Sequence, residues 1–140
     1  MSVREREAVQ GALAAEHAAV YGYGVVGARV GEARAAEAAA AYAAHRARRD
    51  AWARSVRDLG GTPVAAAPAY ALPFRVADPA AAVRLAAELE DRVAGAYADL
   101  VRASGGALRE DAAEALREAA VRAVRWRGGG VAFPGLAERS

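Results

Sequence analysis

The chain has no cysteine, no lysine, no isoleucine and no asparagine among its 140 residues. Without thiols there are no disulfides, no thiolate metal sites and no cysteine nucleophiles, so stability has to come from packing. Without lysine, all 19 basic residues are arginine, and 17 acidic residues interspersed among them leave a formal charge of only +2. A nucleic-acid binder gathers its arginines on one face or arm. Here Arg46, Arg48 and Arg49 form the one dense group, and a charged helical surface explains them equally well, so no nucleic-acid partner is expected. Long apolar runs are missing too: Ala35 to Ala44 is interrupted by Glu37, and nothing reaches the roughly 18 residues that a membrane span needs. The first residues, Met1 to Glu7, are charged and carry no apolar leader. A soluble, cytoplasmic protein with no membrane partner is the expectation.

Aromatic residues make up 6% of the chain against 55% hydrophobic residues overall, and 43 positions are alanine. Apolar surface supplied mainly by methyl groups suits closely packed helices and fits strands badly. The length corresponds to one domain covering 1–140. Glycine and proline divide it into four helical stretches of about 4–29, 33–59, 79–104 and 107–127, stopped by Gly31, by Gly60 and Gly61, by Gly105 and Gly106, and by Gly128 to Gly130. Asp78 before Pro79 combines an N-cap acceptor with a proline suited to the first helical position. The links at Gly31 and Gly105 are short and predict antiparallel hairpins. The link 60–78 is long enough to run the length of a helix, which predicts one long crossover between helices 2 and 3. The tail 128–140, with Phe133-Pro134-Gly135-Leu136, reads as a hydrophobic clasp over one end of the bundle.

Apolar residues at alternating three- and four-residue steps mark the inward faces. In helix 1 the stripe runs through Val9, Leu13, Val20, Tyr23 and Val30, in helix 2 through Ala38, Tyr42, His45, Trp52, Val56 and Leu59, and in helix 3 through Val83, Ala87, Val93, Tyr97 and Leu100. Glu16, His45 and Glu90 fall on these stripes, and folding the hairpins places all three at mid-bundle. A buried carboxylate without a partner costs several kcal/mol or stays protonated. The available partners are a metal ion, an arginine such as Arg122 or Arg125, a tyrosine hydroxyl, or one another. His17 lies about 100° round the helix from Glu16 and points to the edge of such a site or to a helix interface. Tyr21, Tyr23, Tyr97, Trp52 and Trp126 read as packing and hydrogen-bonding residues. Gly22-Tyr23-Gly24-Val25-Val26-Gly27 matches a dinucleotide fingerprint, but the strand that should precede it is replaced by alanine-rich helix. Its glycines are better explained by close approach of a neighbouring helix.

The segments Ala15-Glu16-His17-Ala18-Ala19-Val20-Tyr21-Gly22-Tyr23-Gly24, Ala44-His45-Arg46-Ala47-Arg48-Arg49-Asp50, Pro68-Ala69-Tyr70-Ala71-Leu72-Pro73-Phe74 and Phe133-Pro134-Gly135-Leu136 resemble an actinobacterial ferritin-like family classed as a domain of unknown function. The resemblance covers nearly the whole chain and implies an all-α, ferritin-like four-helix bundle. Di-iron members of that superfamily use one Glu from each of two helices and Glu-x-x-His from each of the others. Glu16 and Glu90 match the lone glutamates. Helix 2 offers Tyr42-Ala-Ala-His45, and helix 4 offers Glu118-Ala-Ala-Val121. The resemblance therefore implies a reduced ligand set of Glu16, His45 and Glu90, with Tyr42, His17 and Glu118 beside it. Two functions follow as expectations: a structural or interaction module without a complete di-iron site, and not an enzyme, or a protein holding one iron, manganese or zinc ion with a redox or oxidative-stress role. Alanine-rich faces further predict a homodimer.

Overall fold

A computed structural model of the chain describes residues 1–128. The described residues form four α-helices and one short 3-10 turn, with no strand among them. Helix α1 spans Val3–Arg29, α2 Ala35–Asp58, α3 Pro79–Ala103 and α4 Gly106–Gly128, and the 3-10 turn covers Glu32–Arg34. The clasp expected of the tail falls on residues 129–140, outside the described residues.

Local chemistry explains the helix ends. The Ser2 hydroxyl accepts the Glu5 backbone N–H at 3.1 Å, which starts α1 one residue earlier than the periodicity indicates. Asp78 caps α3 by accepting the Ala81 N–H at 2.8 Å, with Pro79 at the first helical position as expected. Gly31, Gly60 and Gly106 have φ of 82°, 82° and 58°, a left-handed region that glycine enters without steric cost. After Gly31 the chain makes a 3-10 turn, so α2 begins at Ala35 and not at 33.

The helices enclose one long core with two ends. Toward one end Val9, Leu13, Trp52, Val56, Val93, Tyr97, Leu100 and Ala112 pack together. Toward the other lie Tyr23, Val26, Val30, Ala38, Leu85, Leu89 and Trp126. The start of α1 and the end of α3 share the first cluster, so these neighbouring helices run antiparallel. Leu13, Leu85 and Leu100 are completely buried, each contributing about 1.5–3 kcal/mol of apolar burial. At the α1–α3 contact, Leu89 lies over Gly22, where an added Cβ would come within 2.5 Å of its side chain. That is the helix approach expected of this glycine, whereas Gly24 and Gly27 face open space.

Four positions of the expected stripes sit differently. Val20 is half-buried and Ala19 takes the core position; Ala41 is buried and Tyr42 only half so; Ala82 is buried and Val83 only half so; Leu59 is exposed. Helices lined with alanine approach closely, and at that range the smaller neighbour fits the seam and the bulkier residue is displaced to its edge. Leu59 follows the last turn of α2 and precedes the positive-φ Gly60, which carries it away from the core.

The segment between α2 and α3 runs along α1. The Gln10 amide donates to the Thr62 carbonyl at 2.8 Å and accepts the Val64 N–H at 2.9 Å. Farther along, Tyr70 packs on Tyr21 with ring centroids 5.6 Å apart, and Val76 joins the cluster that holds Val30. Its polar backbone groups thus find partners on α1 while Leu72, Phe74 and Val76 cover apolar surface.

Candidate functional site

Glu16 on α1, His45 on α2 and Glu90 on α3 meet at mid-bundle, and none is more than 1% exposed. His45 lies between the two carboxylates. Its Nδ1 is 2.5 Å from Glu16 Oε1 and its Nε2 is 2.8 Å from Glu90 Oε2. The other Glu16 oxygen, Oε2, accepts the Tyr97 hydroxyl at 2.7 Å, while Glu90 Oε2 also accepts the Tyr23 hydroxyl. Each tyrosine oxygen in turn accepts an indole N–H: Trp52 donates to Tyr97 at 2.8 Å and Trp126 to Tyr23 at 2.9 Å. The result is a buried chain Trp52, Tyr97, Glu16, His45, Glu90, Tyr23, Trp126 that joins all four helices.

The two ends of the chain set its protons. An indole N–H can only donate, so each tyrosine oxygen accepts there and spends its own proton on a glutamate. With both carboxylates ionised they are acceptors only, and His45 must then donate from both nitrogens, as an imidazolium. The energetics agree: burial pulls the His45 pKa down, but the hydrogen bonds to Glu16 and Glu90, with their charges, outweigh it and raise the pKa from 6.5 to about 9. The hydroxyls of Tyr23 and Tyr97 are pushed above the ordinary phenol range, first by burial and then by the adjacent carboxylates, so they stay protonated. Tyr23 also stacks on the His45 ring at 5.3 Å. Two carboxylates against one imidazolium leave one negative charge, and Arg122 of α4 approaches from Glu90's free side, Nη1 to Oε1 at 3.8 Å. That distance is too long for a hydrogen bond, and Glu90 Oε1 is the network oxygen left without one.

The expectation that Glu16, His45 and Glu90 share one level of the core matches this geometry. Tyr42, His17 and Glu118, expected beside them, do not reach the site. Tyr42 packs at the edge of the apolar cluster with the Arg46 guanidinium 5.6 Å over its ring. His17 turns toward the α2–α3 link, its Nε2 3.0 Å from the Val64 carbonyl. Glu118 pairs with Arg48 at 3.0 Å across α2 and α4. His17 and Glu118 are offset from the inward stripes and Tyr42 yields its core position to Ala41, since about 60–100° of helix rotation moves a side chain from core to seam. Arg122 approaches Glu90 as one of the expected neutralising arginines, and Arg125 is exposed.

A tyrosine hydroxyl was one of the expected partners of the carboxylates, and the structure assigns that part to Tyr23 and Tyr97, each backed by a tryptophan. A usable signal exists. Glu16 and Tyr23 on α1 are seven residues apart, and so are Glu90 and Tyr97 on α3. Seven residues make about two turns, so each pair shares a face about 10.5 Å apart. On antiparallel helices each tyrosine then reaches the other helix's glutamate, giving the site a local two-fold pattern that is broken at Glu90 Oε1.

The donor set does not fit a metal ion as it stands. Both imidazole nitrogens face carboxylates, so neither offers a lone pair to a common point, and a ligating histidine must present one. Among the described residues no cluster of three or more carboxylate or imidazole donors is arranged to hold a cation. Nor is any described helix long and apolar enough to cross a membrane.

Comparison with known proteins places the chain beside others without assigned chemistry. The model of a family described as a domain of unknown function, DUF4439, matches residues 8–138. The crystal structure of a conserved hypothetical protein from Mycobacterium tuberculosis is 38% identical, with a TM-score of 0.87 over 91% of this chain and 97% of that one. No curated protein matches.

Proposed function

The chain belongs to the DUF4439 family, a domain of unknown function, and on that premise we propose that it is a ferritin-like bundle acting as a structural or interaction module. In this reading the hydrogen-bonded core ties the helices together at the level where ferritin-like di-iron proteins hold their metal. The long segment running along α1 between α2 and α3 supports the ferritin-like assignment, because one long connection is the topology of that superfamily. The relative from Mycobacterium tuberculosis supports an actinobacterial distribution. The observation that carries the reading is His45 itself: both of its nitrogens are satisfied by Glu16 and Glu90. Six hydrogen bonds from side chain to side chain close the core, and bonds to charged groups are worth about 1.5–3 kcal/mol each. The module is assigned no catalytic residue. A homodimer formed through alanine-rich helix faces is part of the same proposal, and the exposed Val121 and Val124 on α4 support it.

A second reading keeps Glu16, His45 and Glu90 as ligands of one iron, manganese or zinc ion in an oxidative-stress role. It is favoured by the unpartnered Glu90 Oε1, and it requires His45 to give up a proton and turn away from one carboxylate. Elemental analysis separates the two. Protein purified without chelator and then incubated with iron, manganese or zinc is expected to retain less than stoichiometric metal and to melt at the same temperature with or without it. Stoichiometric metal that is lost in His45→Ala overturns the structural reading. Light scattering on the same preparation is expected to give the mass of two chains, and a monomer at micromolar concentration refutes the dimer.

A further inference from the structure

The seam between α2 and α4 differs from the other three. The α1–α2, α1–α3 and α3–α4 pairs pack backbone close to backbone, whereas α2 and α4 are joined by long side chains. Arg34 spans this gap at one end: it donates to the carbonyls of Arg125 and Trp126 at 3.0 and 3.2 Å, grips Glu37 with two hydrogen bonds of 2.9 Å, and covers the Trp126 indole at 4.3 Å. Beside it the seam opens into a cavity of about 160 Å³ lined by Glu37, Ala40, Ala41, Arg122, Arg125 and Trp126.

The charges around this cavity do not cancel. Glu37 is already committed to Arg34. Arg125 forms no ion pair among the described residues, and Arg122 has only the distant Glu90 oxygen at 3.8 Å. Two guanidinium groups one helical turn apart therefore face the same space, over a floor of two alanine methyl groups and an indole. Planar guanidinium groups take carboxylates through paired, charge-assisted hydrogen bonds. The apolar floor suits a short hydrocarbon body, and the volume is well below the several hundred Å³ of pockets for larger ligands.

We propose that the α2–α4 seam is a binding site for a small organic monocarboxylate, its head group held by Arg122 and Arg125 and its apolar end against Ala40, Ala41 and Trp126. Occupation draws Arg122 between two anions, the ligand and Glu90, so the site communicates with the buried network through one side chain. This proposal does not depend on the absence of a metal from the core, since none of its lining residues belongs to the Glu16, His45 and Glu90 set.

The test is titration of the full chain with sodium butyrate, sodium phosphate and sodium chloride at matched ionic strength, following the two indole N–H signals by NMR. Butyrate is expected to shift the Trp126 signal saturably, with an affinity of about millimolar as befits so small a ligand, and to leave the Trp52 signal in place. Arg125→Gln, an exposed position, and Arg122→Gln are each expected to weaken binding about tenfold, the loss of one charge-assisted contact. Ala40→Leu, on the exposed side of the floor, is expected to fill the cavity and block it. Equal shifts with chloride, preference for phosphate over butyrate, or unchanged affinity in both arginine variants overturns the proposal.

Discussion

Raising the pH from 6.5 to 9 is expected to weaken the fold by about 3 kcal/mol, because His45 holds its proton far more tightly in the folded protein than in the unfolded chain. Below pH 6.5 both states carry the proton and the stabilisation is fully present. Between 6.5 and about 9 the unfolded chain releases it while the folded one keeps it, so unfolding gains ground by about 1.4 kcal/mol for each pH step of one. Above about 9 the folded imidazolium also gives up its proton and the stabilisation is gone. For a domain of this size the loss corresponds to roughly 10 °C in melting temperature. The absence of cysteine and lysine makes the experiment clean, since few other side chains titrate in this window. Urea unfolding followed by tryptophan fluorescence at pH 6, 7, 8 and 9 measures the slope directly. Glu16→Gln removes one of the two carboxylates that hold the proton and is expected to flatten the slope. His45→Gln is expected to abolish the slope and to cost about 3–5 kcal/mol at pH 6, the penalty of stranding buried charges. A wild-type stability that is flat from pH 6.5 to 9, or a slope that survives His45→Gln in a variant that still folds, refutes the reasoning.

The tyrosines offer an ordered pair of outcomes. Tyr97→Phe strands the Trp52 N–H and leaves Glu16 Oε2 with no partner, so about 3 kcal/mol of stability is expected to go; Tyr23→Phe strands the Trp126 N–H, but Glu90 Oε2 keeps His45, so the expected loss is about 2 kcal/mol. Denaturant midpoints showing the reverse order contradict the hydrogen-bond directions assigned to the chain. The helix glycines divide in the same way. Gly22→Ala drives a methyl group into Leu89 and is expected to destabilise by about 1–2 kcal/mol, whereas Gly24→Ala and Gly27→Ala, which face open space, are expected to stabilise by up to about 1 kcal/mol through helix propensity. Melting temperatures of the three single variants check this.

Helix number, the breaks at Gly31, Gly60 and Gly105, the Asp78 cap and the common level of Glu16, His45 and Glu90 were all legible in the amino-acid sequence. These are local or periodic properties: a glycine or proline acts on its own backbone, and a three-to-four spacing states which residues share a face. Other features came only from the tertiary structure. That His45 engages both carboxylates, that Tyr23 and Tyr97 cross between α1 and α3, and that Tyr42, His17 and Glu118 stand aside depend on how far each helix is rotated toward its neighbours. Rotation is set by packing alanine methyl groups and single large residues against one another along the whole bundle. The sequence by itself determined which polar groups had to be buried. Tertiary packing decided which of them would satisfy each other, because a hydrogen bond is made or lost over less than an ångström and few tens of degrees, finer than any repeat along the chain records.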